Sequence, residues 1–158
     1  MIDEATYRET SEMLLPTLYR IAMSILHSDA DAQDAVQQAL LKAWAHREKA
    51  APDNYRAYLT RIAVNECRNI QRYRQRVLPV DEVREGTAYA QEDNSGLYEA
   101  IGGLPEKLRI TLLLKYMEGY KEREIAQALH ISLPAVKNRL FRARHELRRT
   151  LSKEVVFE

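Results

Sequence analysis

The chain has 158 residues, 46% of them hydrophobic and 30% charged, with a formal net charge of +1. This balance suits one medium domain or two small ones and excludes a chain disordered throughout. Met1 to Ser11 are polar and acidic rather than basic and then apolar, and no apolar run approaches the roughly 20 residues that span a bilayer, so a cytoplasmic protein without direct membrane insertion is expected.

Apolar residues recur at spacings of three and four almost everywhere, the period of helices with one buried face, and no strand alternation is present. An all-α fold is therefore predicted. A first helix, from about Tyr7 to His27, presents Leu14, Leu18, Ile21 and Ile25. Ser28 or Asp29 can cap a second, which carries Val36, Leu40, Ala43 and Trp44. Pro52 and Asp53 interrupt it, and a third helix over about 54–74 buries Leu59, Ile62, Ala63 and Ile70. The single cysteine, Cys67, lies in this helix; it allows neither an internal disulfide nor a thiolate metal cluster, and its default role is packing.

The periodicity then stops. Pro79, Gly86, Asn94, Ser95 and Gly96 mark 77–96 as a flexible linker, dividing the chain into small helical domains at 1–76 and 97–158. Beyond it, Gly102 and Gly103 end a short helical turn, and Leu104-Pro105 opens a helix through Met117 that Gly119 closes, with Leu104, Leu108, Leu112 and Tyr116 facing inward. The segments 122–129 and 133 to about 151 then meet across His130-Ile131-Ser132. Ile125, Leu129, Ile131, Val136 and Leu140 supply a shared core, Ala126 permits close approach, and Ser132 can cap the second helix. This is a helix-turn-helix pattern, although its turn has His130 where glycine would adopt a left-handed conformation most readily. Its second helix projects Lys137, Asn138, Phe141, Arg142 and Arg144, which suit a major groove: cations for guanine and phosphate, an amide for adenine, a ring for thymine methyls.

Charge is segregated along the chain. Residues 1–55 are net acidic, whereas 56–76 carry Arg56, Arg61, Arg68, Arg72, Arg74 and Arg76 against Glu66 alone. The linker is acidic through Asp81, Glu82, Glu85, Glu92 and Asp93, and 132–153 is again basic. Two basic surfaces flank an acidic connector. A helix pair with a basic exterior also occurs in proteins that never touch DNA, so the pattern alone leaves that reading open. For enzymatic chemistry, His27, His46, His130 and His145 are scattered, and no phosphate-binding glycine loop or nucleophile–base spacing is present. Asp29, Asp31 and Asp34 could chelate magnesium, but a helix cap and a solvated face account for them better. No catalytic residue, metal or cofactor is expected.

Several runs resemble one family. Leu104-Pro-Glu-Lys-Leu-Arg, Glu118-Gly, Glu124-Ile-Ala and Val136-Lys-Asn-Arg-Leu-Phe-Arg-Ala-Arg look like region 4 of the extracytoplasmic-function sigma factors. Asp31-Ala-Gln-Asp-Ala-Val-Gln-Gln-Ala-Leu-Leu-Lys-Ala-Trp resembles region 2.2, and Arg61-Ile-Ala-Val-Asn resembles regions 2.3 and 2.4. The resemblance spans nearly the whole chain, in the family's order. It implies a protein that binds bacterial core RNA polymerase, recognises and helps melt promoter DNA, and catalyses nothing itself. A stand-alone helix-turn-helix regulator is the alternative.

By that resemblance, the region 2.2 helix docks on the β-prime coiled-coil of polymerase, with Asp34, Gln37, Gln38 and Lys42 as contacts. Gln38 is neutral where many relatives carry an acid, and without the family, exposed polar residues on a helix need no function. The third helix corresponds to the part that reads the minus-10 element and captures a flipped base. Arg61, Arg68 and Arg72 would hold the backbone, while Tyr55, Tyr58 and Asn65 would enclose the base, Asn65 standing at the family's base-binding asparagine. Packing at helix spacing is an equal reading for the two tyrosines. Lys137, Asn138, Phe141 and Arg142 fall to the minus-35 major groove, with Arg139 and Arg144 nearer phosphates. Lys121 replaces a frequent serine or threonine and puts a cation where a DNA phosphate would profit from it. An anti-sigma factor is a further partner implied by kinship, and the linker would thread toward the polymerase active-site channel.

Overall fold

In a computed structural model of the protein, residues 1–50, 54–77 and 96–156 are described, with side chains to 152 in the last helix. The expected linker at 77–96 and the Pro52-Asp53 break lie almost wholly outside them. Every regular element among the described residues is helical.

Helix α1 (Glu4–Leu26) starts at Asp3, whose carboxylate accepts the Thr6 N–H at 2.7 Å, and ends where His27 turns left-handed at φ 54°. Ser28 caps α2 (Asp29–Ala45) by accepting the Asp31 N–H at 3.3 Å. Such a cap is worth about 1 kcal/mol. A short 3₁₀ turn, Arg47–Lys49, comes next, and α3 (Tyr55–Val77) completes a three-helix unit. Leu14, Leu18, Ile21, Val36, Ala39, Leu59 and Ala63 are buried between these helices, while Ile62 and Ile70 are half-buried. Trp44 stays on the surface, its ring 5.0 Å from that of Tyr7 and beneath the Arg47 guanidinium.

The second unit comprises α4 (Leu97–Gly102), α5 (Glu106–Leu112), α6 (Glu122–Leu129) and α7 (Leu133–Val156). The helix expected through Met117 is present, but its last stretch widens into a π-helical turn over Leu113–Met117, where the Glu118 N–H reaches back to the Leu113 carbonyl at 3.0 Å. A wider turn changes the facing of the residues in and after it, since each added residue rotates the side chains by about 100°. Tyr116 therefore does not face inward as expected; it is 54% exposed, and its hydroxyl accepts from Arg144 at 2.8 Å. Leu104, Leu108 and Leu112 are buried as expected. Gly119 closes the turn at φ 73°, a left-handed conformation that suits glycine.

The two units pack on each other. One hydrophobic cluster runs from Leu14 of α1 through Cys67 of α3 to Leu113, Ile125 and Ala143 of the second unit. Around it, α3 lies against α6, where the Thr60 and Tyr120 hydroxyls hydrogen bond at 2.7 Å. Arg20 donates twice to Glu118, at 2.8 and 2.6 Å, and the Thr17 hydroxyl adds a third bond at 2.8 Å to a carboxylate whose side chain is only 2% exposed. The buried Arg109 donates to the Ser24 carbonyl at 2.6 Å and to the Leu104 carbonyl at 2.8 Å, joining α1 to the start of the second unit.

Candidate nucleic-acid interface

The helix-turn-helix is built as its residues dictate. His130 ends α6 in the left-handed region, at φ 57° and ψ 49°, so histidine takes the conformation usually left to glycine. The Ser132 hydroxyl accepts the Ala135 N–H at 3.2 Å and starts α7. Ile125, Leu129, Val136 and Leu140 are buried, and Ile131 packs against them half-buried. With Val136 and Leu140 turned inward, Lys137, Asn138, Phe141 and Arg142 are left outside the core on one face, Phe141 at 65% exposure.

The cations of this face are already oriented. Lys137 Nζ lies 3.0 Å from Glu122, at the start of α6, and Lys115 approaches the other oxygen of that carboxylate at 3.6 Å. The Lys137 hydrogen bond chiefly holds the Glu122 carboxyl below its ordinary pKa. Arg144 is tethered to Tyr116. Lys121 is exposed, and its N–H donates to Glu124 Oε1 at 3.0 Å, so Glu124 reaches back to cap the start of α6. Arg139 is held below the usual arginine pKa by burial, and then by the like charges of Arg68 and Arg142. The basic strip therefore passes from α3 of the first unit to α7 of the second.

On α3, Tyr58, Asn65, Arg68 and Arg72 line one cleft of about 520 Å³. That volume is within the range of small-ligand pockets, roughly 300–1,000 Å³. Of three further lining residues, Asn69 carried no signal in the sequence beyond being polar, His46 was one of four scattered histidines, and Glu66 stood out only as the lone acid of its basic run. Lys42, grouped by resemblance with Asp34, Gln37 and Gln38, also lines this cleft and pairs with Glu66 at 2.9 Å. Arg61 is half-buried outside the lining. Tyr55 is 2% exposed, packed with Ile2 and Ala50 behind Tyr58, with its ring centroid 6.2 Å from that of Tyr58. Its hydroxyl has no hydrogen-bond partner among the described residues, and burial pushes its pKa to about 12. Tyr55 backs the wall that Tyr58 presents.

Asp34, Gln37 and Gln38 are exposed on α2. Gln37 borders an apolar groove of about 540 Å³ between α1 and α2, lined by Leu15, Pro16, Tyr19, Val36 and Leu40.

Against known proteins, residues 11–77 match the Sigma-70 region 2 family and residues 95–147 match Sigma-70, region 4. The chain is an extracytoplasmic-function sigma factor of the sigma-70 family. RNA polymerase sigma factor SigV of Bacillus subtilis is 29% identical over 160 residues, covering 93% of this chain and 96% of its own length. The sigma factor RpoE of Bartonella quintana, solved in complex with the anti-sigma factor NepR, superposes with a TM-score of 0.74 at 26% identity over 93% of this chain and 96% of that one. CnrH, solved in complex with the cytosolic domain of CnrY, gives a TM-score of 0.70 over 96% of this chain and 90% of that one; at 24% identity it speaks to the fold alone. This sigma factor functions in transcription initiation, and no helix among the described residues is long and apolar enough to cross a membrane.

Proposed function

We propose that the first unit binds core polymerase through α2 and reads the minus-10 strand at the α3 cleft, while Lys137, Asn138, Phe141 and Arg142 read the minus-35 groove. The observation that carries this reading is the cleft itself: an aromatic wall, an amide and two arginines, each suited by its chemistry to single-stranded DNA, converge on one concavity. The groove beside Gln37 has the apolar floor and polar rim that a polymerase coiled-coil would fill. The chain's part is recognition, with polymerase supplying the catalysis in the cytoplasm.

The packed arrangement is a resting form under this proposal. Elements centred about 25 base pairs apart lie roughly 85 Å apart on B-DNA at 3.4 Å per pair. Arg68 and Arg139, one from each reading surface, are near enough to repel each other. Both elements can be engaged only after the units separate, and an anti-sigma partner of the kind seen with the Bartonella relative would act on that equilibrium.

Reconstituted transcription tests the assignment. Core polymerase with this protein should initiate at a cognate promoter, and Asn65→Ala should retain core binding while losing strand opening, followed by permanganate reactivity. Unchanged melting would refute the role of Asn65, and tight promoter binding by the free protein would favour a stand-alone regulator.

A further inference from the structure

Glu66 is the one acid within the basic run of α3, and it faces the cleft rather than solvent, with a side chain 9% exposed. A carboxylate in a nucleic-acid cleft repels phosphate, so its presence calls for a compensating cation and a use. The cation is Lys42, whose Nζ lies 2.9 Å from Oε2; Asn69 Nδ2 donates to the same oxygen at 3.0 Å. With Oε2 doubly occupied, the carboxylate is fixed in orientation and neutralised as a pair. Both of these hydrogen bonds fall on Oε2, which leaves Oε1 as a held acceptor in the cleft that Asn65 and Tyr58 also line.

We propose that Glu66 determines which base the cleft admits, Oε1 accepting a hydrogen bond from the exocyclic amine of a flipped cytosine or adenine. This rests on the minus-10 reading of the cleft. Carboxylates pair with the cytosine N4 amine in direct readout, whereas thymine offers a carbonyl oxygen at the equivalent position and would face Oε1 with a lone pair. A site built to accept a hydrogen bond discriminates strongly against an analogue lacking the donor, because its own acceptor is then left unpaired. Lys42 and Asn69 act as positioning residues through Glu66.

The test uses holoenzyme reconstituted with bacterial core polymerase and nontemplate-strand oligonucleotides carrying a minus-10 element selected by that holoenzyme. Each cytosine is replaced by uracil and each adenine by hypoxanthine, exchanges that turn the amine into a carbonyl with little change of shape. At one position the wild-type protein should lose about tenfold in affinity, the lower end of the cost of leaving one acceptor unpaired. Glu66→Gln should abolish or reverse that preference, because the amide can turn its NH2 toward the carbonyl. A general loss of affinity from poor folding leaves the ratio between the two bases unchanged, so the ratio isolates base reading. Indifference to the exchange at every position, or the same ratio in Glu66→Gln, overturns the role of Glu66. If Asn65→Ala and Arg72→Ala also leave strand affinity untouched, the minus-10 reading of the cleft falls with it; if they weaken it, that reading stands and only the Glu66 inference fails.

Discussion

Arg56 and Glu124, 68 residues apart in the chain, grip each other through two hydrogen bonds of 2.9 and 2.6 Å. The same carboxylate caps the first helix of the helix-turn-helix by accepting the Lys121 N–H, and the Arg56 guanidinium lies 4.2 Å from the Tyr120 ring centroid. One acid thus starts α6 and fastens it to α3. The partners' side chains are 37% and 26% exposed, so solvent screens the pair and its net contribution is about 1 kcal/mol. Arg56→Ala should shift the protein toward separated units, read as a longer distance between fluorophores on α2 and α7. A double-mutant cycle with Glu124→Gln removes the capping contribution from the comparison, and a coupling energy indistinguishable from zero would show that the pair does not hold the units together.

Acid should loosen the same contact. The Arg56 hydrogen bond is the main cause holding the Glu124 carboxyl below its ordinary value, partly opposed by burial. A depressed carboxylate pKa stabilises the packed form fully above the ordinary glutamate pKa of about 4.3, and that stabilisation is lost as pH falls through the lowered value. Interdomain separation should therefore increase on acidification below about pH 4.3, and Glu124→Gln should show a smaller acid response. An identical response in both proteins would assign the change to other carboxylates.

Much of the fold was legible because its determinants are local. Helix periods, the Ser28 and Ser132 caps and the helix-turn-helix core depend on residues within a few turns of one another, and they lie where the pattern puts them. Tyr116 departs from its pattern because the π-helical turn at Leu113–Met117 has no signature in apolar spacing. The packing of the two units was invisible for a different reason: Arg20 and Glu118 are 98 residues apart, and nothing in either sequence neighbourhood names the other. At the cleft, residue chemistry identifies Asn65, Arg68, Arg72 and Tyr58, but the inward turn of Lys42 and Glu66 comes from how α2 crosses α3.

On α7, Lys137→Ala or Arg142→Ala should cost about 1–3 kcal/mol of promoter affinity if a base contact is lost, with core binding intact. Lys137 is held by Glu122, so Glu122→Gln should also blur discrimination between minus-35 sequences while strengthening non-specific binding by removing a negative charge. Competition between cognate and scrambled duplexes measures both. Equal loss of core binding would point to misfolding instead.

The turn provides a stability test independent of DNA. His130 holds φ 57° with a Cβ present, a conformation that costs L-residues roughly 1–2 kcal/mol and glycine almost nothing. His130→Gly should unfold at an equal or higher denaturant midpoint, and His130→Val, β-branched, at a clearly lower one. The reverse order would mean that the imidazole makes a contribution larger than the backbone strain.

Cys67 offers a direct clock for separation of the units. Its thiol is fully buried in the cluster shared by both units, and burial, followed by the nearby Glu106 and Glu66 charges, pushes its pKa to about 12. Only the thiolate reacts with iodoacetamide, so at about pH 8 the packed protein should be alkylated far more slowly than the unfolded chain, whose cysteine titrates near about 8.5. Glu106 belongs to α5 of the second unit, so lifting that unit away removes both the cover and one of the charges that suppress ionisation. Arg56→Ala, by favouring separation, should then accelerate labelling without changing the denaturant midpoint of the first unit. Rapid labelling of the wild-type protein under native conditions would mean that the packed form is a minor species, and equal rates in the two proteins would mean that Cys67 becomes accessible only by unfolding of the three-helix unit itself.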